Sequence, residues 1–136
     1  MKKRHVIPVP EAVAGDKLIG APISAAVKAQ GVIYCSGATA YDPETGRIVS
    51  GTIETETHRV LKNLQLVLEA SGSSLDRVLK VNVYLDSMVG FDEMNVVFQR
   101  FFSKDPPART TIACELAWGV HVEMDCIALC DDCRES

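Results

Sequence analysis

Hydrophobic and polar positions follow two different periods along this chain, and the change of period marks its elements. Between Thr52 and Ser71 apolar residues recur at helical spacing, with Thr52 placed as the N-cap and Gly72 beyond the end. A second helix is predicted at "GFDEMNVVFQRFF", where Met94 and four phenylalanines share one stripe. Both helices are therefore expected to bury one face.

Strands are predicted where apolar residues alternate with polar ones or run together between turn residues. They are expected at Ala25–Ala29, Val32–Ser36, Ile48–Val49, Arg77–Leu85 and a final hairpin, Pro106–Cys130, that turns near Ala117–Trp118–Gly119. In the fourth strand, one face is predicted to carry Leu79, Val81, Val83 and Leu85. The order of elements predicts an α+β sandwich with two helices on one face of a mixed sheet.

Alternation also assigns faces to the two strands of the predicted hairpin. The core face is expected to hold Ile112, Cys114, Leu116, Val122, Met124 and Cys126. Arg109 and Glu123 would then point the same way. The sheet face that no helix covers is expected to include Thr111, Ala113, Glu123, Ile127 and Leu129, and its partly apolar character predicts self-association.

Arg109 and Glu123 are the candidate functional pair of this hairpin. A guanidinium presents paired donors that match a carboxylate, and a glutamate can hold or activate a water molecule. The alternative is a structural ion pair, which spacing alone favours because such pairs are common.

Composition limits the classes of protein to which this chain can belong. With 136 residues and 47% hydrophobic content, a single domain over 1–136 is expected, with an N-terminal arm (1–19) and a C-terminal tail (131–136). The net charge of −4 argues against nucleic acid as a main partner. No apolar run approaches the roughly 20 residues of a membrane span, and no secretory leader is recognisable at the N-terminus, so a soluble, cytoplasmic protein is predicted.

The five cysteines are an odd number, which fits a reducing compartment better than a disulfide framework. Near the C-terminus, Cys126 and Cys130 are interpreted as buried thiols and Cys133 as a tail cysteine. A zinc site is the less favoured alternative because it usually needs four ligands. His58 and His121 are interpreted as solvated surface residues.

Several segments, in order, resemble one known family. They are "YCSGA", "DPETGRIVSG", "TIETETHRVLKNLQLVLEASGSSLDRVLKVNVYLDSM", "FFSKDPPARTT" and "VHVEMDCIAL". Together they resemble the Rid (YjgF) family of enamine/imine deaminases over roughly residues 20–130. The resemblance implies a chorismate-mutase-like fold and a homotrimer whose sheets form a barrel with three intersubunit clefts. It also implies hydrolysis of 2-enamine/2-imine carboxylates to 2-keto acids and ammonia, without a metal or organic cofactor.

The resemblance also implies roles for individual residues. Arg109 in "PPART" matches the carboxylate-binding arginine, and Glu123 in "VEMDCIA" matches the glutamate that positions water. Ser36 and Gly37 in "YCSGA" and Asn95 in "DEMNVVF" match residues of the same cleft.

Two positions depart from the common deaminase pattern. Ile23 replaces a pocket tyrosine, and Thr111 replaces a frequent cysteine after the arginine. Both are expected to line the substrate pocket and to make its mouth less polar. A larger enamine such as 2-aminomuconate is therefore an alternative substrate, and a non-catalytic ligand-binding or regulatory trimer is an alternative function. A ribonuclease, also described in this family, is disfavoured by the acidic net charge.

Overall fold

The structure is a computed structural model that describes residues 3–9 and 20–130. Most of the predicted N-terminal arm and the whole predicted C-terminal tail, with Cys133, lie outside the described residues. In the described part, two helices of more than one turn pack on one face of a six-stranded mixed sheet, which confirms the predicted fold class. Neither helix combines the length and apolar composition that crossing a membrane requires.

Helix α1 (Ile53–Ala70) begins and ends where its capping residues predict. Thr52 Oγ1 accepts a hydrogen bond from the Thr55 backbone N–H at 3.1 Å, and Thr55 Oγ1 accepts one from the Thr52 N–H at 3.2 Å. This reciprocal pair satisfies two of the amide donors that a helix start leaves free. Beyond the C-terminal end, Gly72 adopts a φ of 80°, a left-handed conformation that suits glycine.

Helix α2 (Phe91–Phe101) buries the predicted aromatic stripe. Met94 and Phe98 lie in the core, and Phe91 and Phe101 pack against it as half-buried residues. The stripe is therefore buried against the sheet, as predicted.

The main sheet has the strand order β1-β2-β3-β8-β6-β7, and β4 and β5 form a separate two-stranded ribbon. The strands are β1 (His5–Val6), β2 (Ala26–Ala29), β3 (Val32–Ala38), β4 (Tyr41–Asp42), β5 (Arg47–Ile48), β6 (Val78–Leu85), β7 (Ala108–Ala113) and β8 (Val122–Leu129). Between β2 and β3, Gln30 and Gly31 adopt φ angles of 52° and 78°, as two-residue hairpin turns require. The β6–β7 pair is parallel and the others are antiparallel.

The predicted hairpin of the last two strands is wrong. Strand β6 lies between β7 and β8, pairing parallel with β7 and antiparallel with β8. Helix α2 connects β6 to β7, and a helical crossover of this kind allows two strands to pair in parallel. The short distance in sequence between β7 and β8 therefore does not make them neighbours.

The new strand order also corrects the predicted faces. Arg109 aligns with Val81, a fully buried core residue, so Arg109 and Thr111 lie on the helix-covered side. Glu123 aligns with Tyr84, three positions further along β6, which places it on the open side. Arg109 and Glu123 therefore point to opposite faces, and the prediction that they point the same way is wrong.

The same change of partner removes three residues from the predicted core. Ile112 is 46% exposed, and Cys114 and Leu116 are only half-buried. Thr111 and Ala113, predicted for the uncovered face, lie on the helix-covered side. The alternation predicted for β8 is confirmed, since Val122, Met124, Cys126 and Ala128 are buried.

A register shift in β6 explains one further difference. The pairing of β6 with β8 is irregular between Val78 and Lys80. As a result, Val78 is buried while Leu79, predicted to share a face with Val81, is 45% exposed.

Candidate functional site

Arg109 lies at the edge strand β7, under helix α2. Its guanidinium carbon is 4.7 Å from the centre of the Phe98 ring and 5.6 Å from that of Phe91. Nη1 is 3.9 Å from Met94 Sδ. No carboxylate of residues 3–9 and 20–130 forms an ion pair with it. The alternative of a structural ion pair with Glu123 is therefore wrong, and the cation is held by aromatic faces.

Two polar atoms on the same side as Arg109 have no hydrogen-bond partner. Asn95 Oδ1 and Thr111 Oγ1 are both buried and unsatisfied. Asn95 comes from α2, and Thr111 lies two residues after Arg109 on the same face of β7. Buried polar atoms usually have partners, so these two retain unused hydrogen-bonding capacity.

A cavity of about 380 Å³ adjoins this group. It is lined by Asn95, Phe98, Gln99, Phe102, Ser103, Pro106, Pro107 and Arg109. Burial lowers the pKa of Arg109, but a guanidinium remains charged at neutral pH. The cavity therefore combines a fixed positive charge and an amide with largely apolar walls. We call Asn95, Arg109 and Thr111 the arginine half-site.

Glu123 lies against the backbone of β3 at Gly37. A Cβ atom added to Gly37 would overlap Glu123 Oε2 and lie 3.2 Å from Cδ. Gly37 sits where the β3–β8 register shifts between Cys35 and Ala38. The missing side chain and the bulge together bring the carboxylate onto the strand.

Ser36 connects this region to the preceding loop. Its hydroxyl donates a hydrogen bond of 2.6 Å to the Ser24 carbonyl, next to Ile23, which is 45% exposed. We call Ser36, Gly37 and Glu123 the glutamate half-site. Ile23 is thereby placed on the loop beside it.

The charge of Glu123 is perturbed by its surroundings. Burial raises the pKa of Glu123, and the negative charge of Asp125 raises it further. Asp125 in turn accepts hydrogen bonds from Asn82 Nδ2 at 2.8 Å and from the Tyr84 hydroxyl at 2.7 Å. The bond to Asp125 is the main cause that raises the pKa of Tyr84 to about 12. A proton acceptor with a raised pKa is suited to acid–base chemistry.

Sequence reasoning missed this network of Asn82, Tyr84 and Asp125, although one signal was present. Alternation in "KVNVYL" places Asn82 and Tyr84 together on the face of β6 opposite Val81 and Val83. Their contact with Asp125 requires β6 and β8 to be neighbours, which local spacing does not indicate.

The structure thus divides the predicted site residues into two groups. The arginine half-site faces the helices, and Glu123 of the glutamate half-site faces the open side of the sheet. A single chain does not bring the two groups together.

His121, predicted to be a solvated surface residue, contacts two acidic side chains. Its Nδ1 is 2.6 Å from Asp86 Oδ2, and its Nε2 is 3.8 Å from Oε2 of the buried Glu56. The hydrogen bond with Asp86 is the main cause that raises the pKa of His121. Glu56 also accepts a hydrogen bond of 2.8 Å from the His121 backbone N–H and one of 3.1 Å from Gly51. These contacts fasten the start of α1 to the start of β8.

Of the cysteines near the C-terminus, Cys126 agrees with the prediction of a buried thiol and Cys130 does not. Cys126 is a buried free thiol, and its Cα partner across β3 and β8 is Cys35, another buried thiol. Cys130 is disulfide-bonded, which corrects the prediction of a thiol there. Within the described residues, no three His, Cys, Asp or Glu side chains are arranged to hold a metal ion.

Residues 17–130 match the protein family described as Endoribonuclease L-PSP. A RutC family protein from Pyrococcus abyssi is 41% identical over 108 residues, which cover 79% of this chain and 85% of the relative. Reactive Intermediate Deaminase A, chloroplastic, from Arabidopsis thaliana is 35% identical over 108 residues, covering 79% of this chain and 58% of that protein.

Solved structures agree with the fold. The crystal structure of RidA from a Psychrobacter species matches with a TM-score of 0.80 and 32% identity, covering 92% of this chain and 98% of that chain. The names of these similar proteins thus include both a deaminase and, in the family description, an endoribonuclease.

Proposed function

Since the chain belongs to the L-PSP family, which includes the Rid (YjgF) proteins, we propose that it hydrolyses reactive 2-enamine/2-imine carboxylates to 2-keto acids and ammonia. The observation that carries the proposal is Arg109. It is a half-buried cation without a carboxylate partner among the described residues, and it lies on the same side of the sheet as the unsatisfied atoms of Asn95 and Thr111.

In this proposal Arg109 binds the substrate carboxylate. Its planar fork matches the two carboxylate oxygens, and stacking on Phe98 and Phe91 fixes the plane of the fork. Asn95 Oδ1 can accept a hydrogen bond from the substrate nitrogen, and Thr111 Oγ1 can donate one to the carboxylate. The substrate is thereby oriented before reaction, which accounts for much of the rate acceleration in such reactions.

Glu123 acts on the water in this mechanism. It accepts a proton from water as the water oxygen bonds to the carbon of the protonated C=N group, and the π electrons move to nitrogen. The nitrogen then takes up that proton from Glu123 and leaves as ammonia when the C–N bond breaks. The hydroxyl proton passes back to Glu123 as the C=O bond forms, and Glu123 releases it to solvent. The raised pKa of Glu123 suits both directions of proton transfer.

The opposite orientation of the two half-sites implies that a second copy completes the site. We propose a homotrimer with three intersubunit clefts, in which one chain supplies the arginine half-site and its neighbour supplies the glutamate half-site. The open sheet face supports this arrangement, because it exposes Tyr34, Ile112 and Leu129 and exposed apolar patches of this kind mark interfaces.

A larger enamine, such as 2-aminomuconate, is the second candidate substrate. Phe98, Phe102, Pro106 and Pro107 line the cavity beside Arg109. These walls leave room beyond the carboxylate for more than a methyl group, and Ile23 adds apolar surface on the loop beside the glutamate half-site.

Ammonia release from a panel of imino acids, generated in place by an amino-acid oxidase, tests the proposal. We expect faster ammonia release than in buffer for at least one carboxylated imine, with loss of the enhancement in Arg109→Ala. Arg47→Ala, which removes an exposed arginine on β5, is the matched control. Binding of substrate analogues without any acceleration would indicate the non-catalytic trimer. Cleavage of RNA with no acceleration of imine hydrolysis would indicate the ribonuclease named in the family description.

A cytoplasmic location is part of the proposal. Relatives named as chloroplastic and mitochondrial show that this family occupies more than one compartment. Fractionation of cells that express the tagged chain would decide it.

A further inference from the structure

We propose that Asp125 is a positioning residue that acts through Glu123. Tyr84 and Asn82 hold its carboxylate in a fixed place, two residues from Glu123 on the same face of β8, so that it sets the proton affinity of Glu123. The inference rests on the proposed role of Glu123 as the group that accepts a proton from water.

The geometry comes from the register of two neighbouring strands. Tyr84 is the Cα partner of Glu123, and Asn82 is the Cα partner of Asp125. The Tyr84 hydroxyl reaches diagonally to Asp125 Oδ2 at 2.7 Å, while Asn82 Nδ2 donates directly across to Oδ1 at 2.8 Å. Both carboxylate oxygens are therefore fixed by donors from β6.

Residues two apart on a strand lie about 7 Å from each other on the same face, close enough for one negative charge to oppose the ionisation of the other at a half-buried site. This agrees with the raised pKa of Glu123, to which burial contributes most and Asp125 second.

The residues that face Glu123 come from the two neighbouring strands, β6 and β3. From β6 the facing residue is Tyr84, and from β3 it is Gly37, which cannot titrate. Cys114 lies near enough to Tyr84 to affect that phenol. Of the basic residues in the region, His121 bonds to Asp86 and Lys80 bonds to Thr110, while Arg109 is on the opposite face.

The functional consequence concerns both halves of the reaction. A general base is most effective when its pKa lies near the working pH. By opposing the ionisation of Glu123, Asp125 makes Glu123 a better acceptor of the water proton and keeps that proton available for the leaving nitrogen.

The test is the variant Asp125→Asn, measured in two independent ways. Glu123 accepts a proton only when it is deprotonated, so activity is lost as pH falls through its pKa. Removing the neighbouring charge lowers that pKa, so the acidic limb of the kcat/KM profile should move to lower pH. In a ¹³C NMR titration of the side-chain carboxyl carbons, assigned by Glu123→Gln, the Glu123 resonance should titrate at lower pH by the same amount.

Two controls separate charge from packing. Glu69→Gln removes an exposed carboxylate on α1 and should displace neither measurement. Tyr84→Phe removes one donor but keeps the Asp125 charge, so the acidic limb should stay above that of Asp125→Asn. If the acidic limb of Tyr84→Phe lies at the same low pH as that of Asp125→Asn, the Tyr84 phenol and not the Asp125 charge sets the proton affinity of Glu123. That result would overturn the proposal.

The results that would overturn this inference differ from those that would overturn the proposed function. An unchanged NMR titration of Glu123 in Asp125→Asn overturns the inference, whatever the enzyme does. A lowered NMR titration with an unmoved kcat/KM limb supports the tuning of Glu123 but contradicts its role as the base. If Asp125→Asn alone does not fold, Asp125→Asn combined with Tyr84→Phe removes the charge together with the phenol that bonds to it and permits the same two measurements.

Discussion

Arg109 and Glu123 point to opposite faces of one sheet, Arg109 in register with Val81 and Glu123 in register with Tyr84. Because three positions separate Val81 from Tyr84 on a strand whose side chains alternate, the two charged residues cannot act on the same small substrate within one chain. Any reaction that uses both requires two copies.

Mixing two inactive variants tests this arrangement. Arg109→Ala and Glu123→Gln should each be inactive, but trimers refolded from an equal mixture should regain about a quarter of the wild-type activity, because in a cyclic assembly one site in four then carries both native residues. Sedimentation should show trimers in every sample. Activity that stays at the level of the separate variants would place both residues in one chain's site, and a monomer would contradict the assembly.

Substitution of Arg109 should affect the ligand more than the fold. Arg109→Ala should lower kcat/KM at least thirtyfold, since removing one partner of a desolvated charged contact costs about 2 to 5 kcal/mol. Arg109→Lys should recover only part of this loss, because a lysine offers no planar fork.

The melting temperature of the Arg109 variants checks the interpretation. Stacking on Phe98 and Phe91 contributes roughly 0.5 to 2 kcal/mol, so a shift of a few degrees is expected. A variant that unfolds, or one that keeps full activity on every carboxylated imine, would show that Arg109 is structural.

Gly37→Ala should displace the Glu123 carboxylate while leaving Glu123 itself unchanged. The new Cβ overlaps Glu123 Oε2, so the carboxylate must move away from β3, and overpacking of this kind costs about 1 to 3 kcal/mol. We expect at least a tenfold loss in kcat. In a Glu123→Gln background the same substitution should cause little further loss of activity, because the two changes act on one group. Additive losses would indicate that Gly37 acts independently.

Ile23→Tyr should raise turnover of 2-iminopropionate. Ile23 is 45% exposed on the loop beside Ser36, so a larger ring has room, and its hydroxyl could orient water or substrate. Steady-state kinetics on 2-iminopropionate and on a larger imine would measure the change, with Ile23→Phe as the control that adds a ring without a hydroxyl. An equal gain in both variants would assign the effect to size, and no gain in an intact assembly would contradict the role of the hydroxyl.

His121 should make stability depend on pH in a known direction. Its pKa is raised above the usual 6.5, chiefly by the hydrogen bond with Asp86. A group whose pKa is higher in the folded state stabilises fully below the unfolded pKa, and the contribution disappears as pH rises through the folded value. The melting temperature of wild type should therefore exceed that of His121→Gln most at acidic pH, and the difference should shrink above the folded pKa. Since the side chain is 38% exposed, the effect should be modest and weakened by salt. A difference independent of pH would assign His121 a purely steric role.

The sequence alone determined the features that depend on neighbouring residues. Thr52 capping α1, Gly72 ending it, the Gln30–Gly31 turn and the buried alternation of Met124 and Cys126 all follow from short-range geometry. The family resemblance depends on ordered motifs and likewise needs no knowledge of how strands pair.

Only the tertiary structure decided which strands are neighbours. The pairing of β6 between β7 and β8 is a contact between distant segments, and local periodicity carries no information about it. Arg109 therefore faces the helices, on the side of the sheet opposite Glu123. Ile112 is exposed rather than buried, and the hydrogen-bond donors to Asp125 lie on β6. Alternation fixes which residues of one strand share a face, but the relation between faces of different strands is set by register, because a shift of one residue in the pairing reverses it.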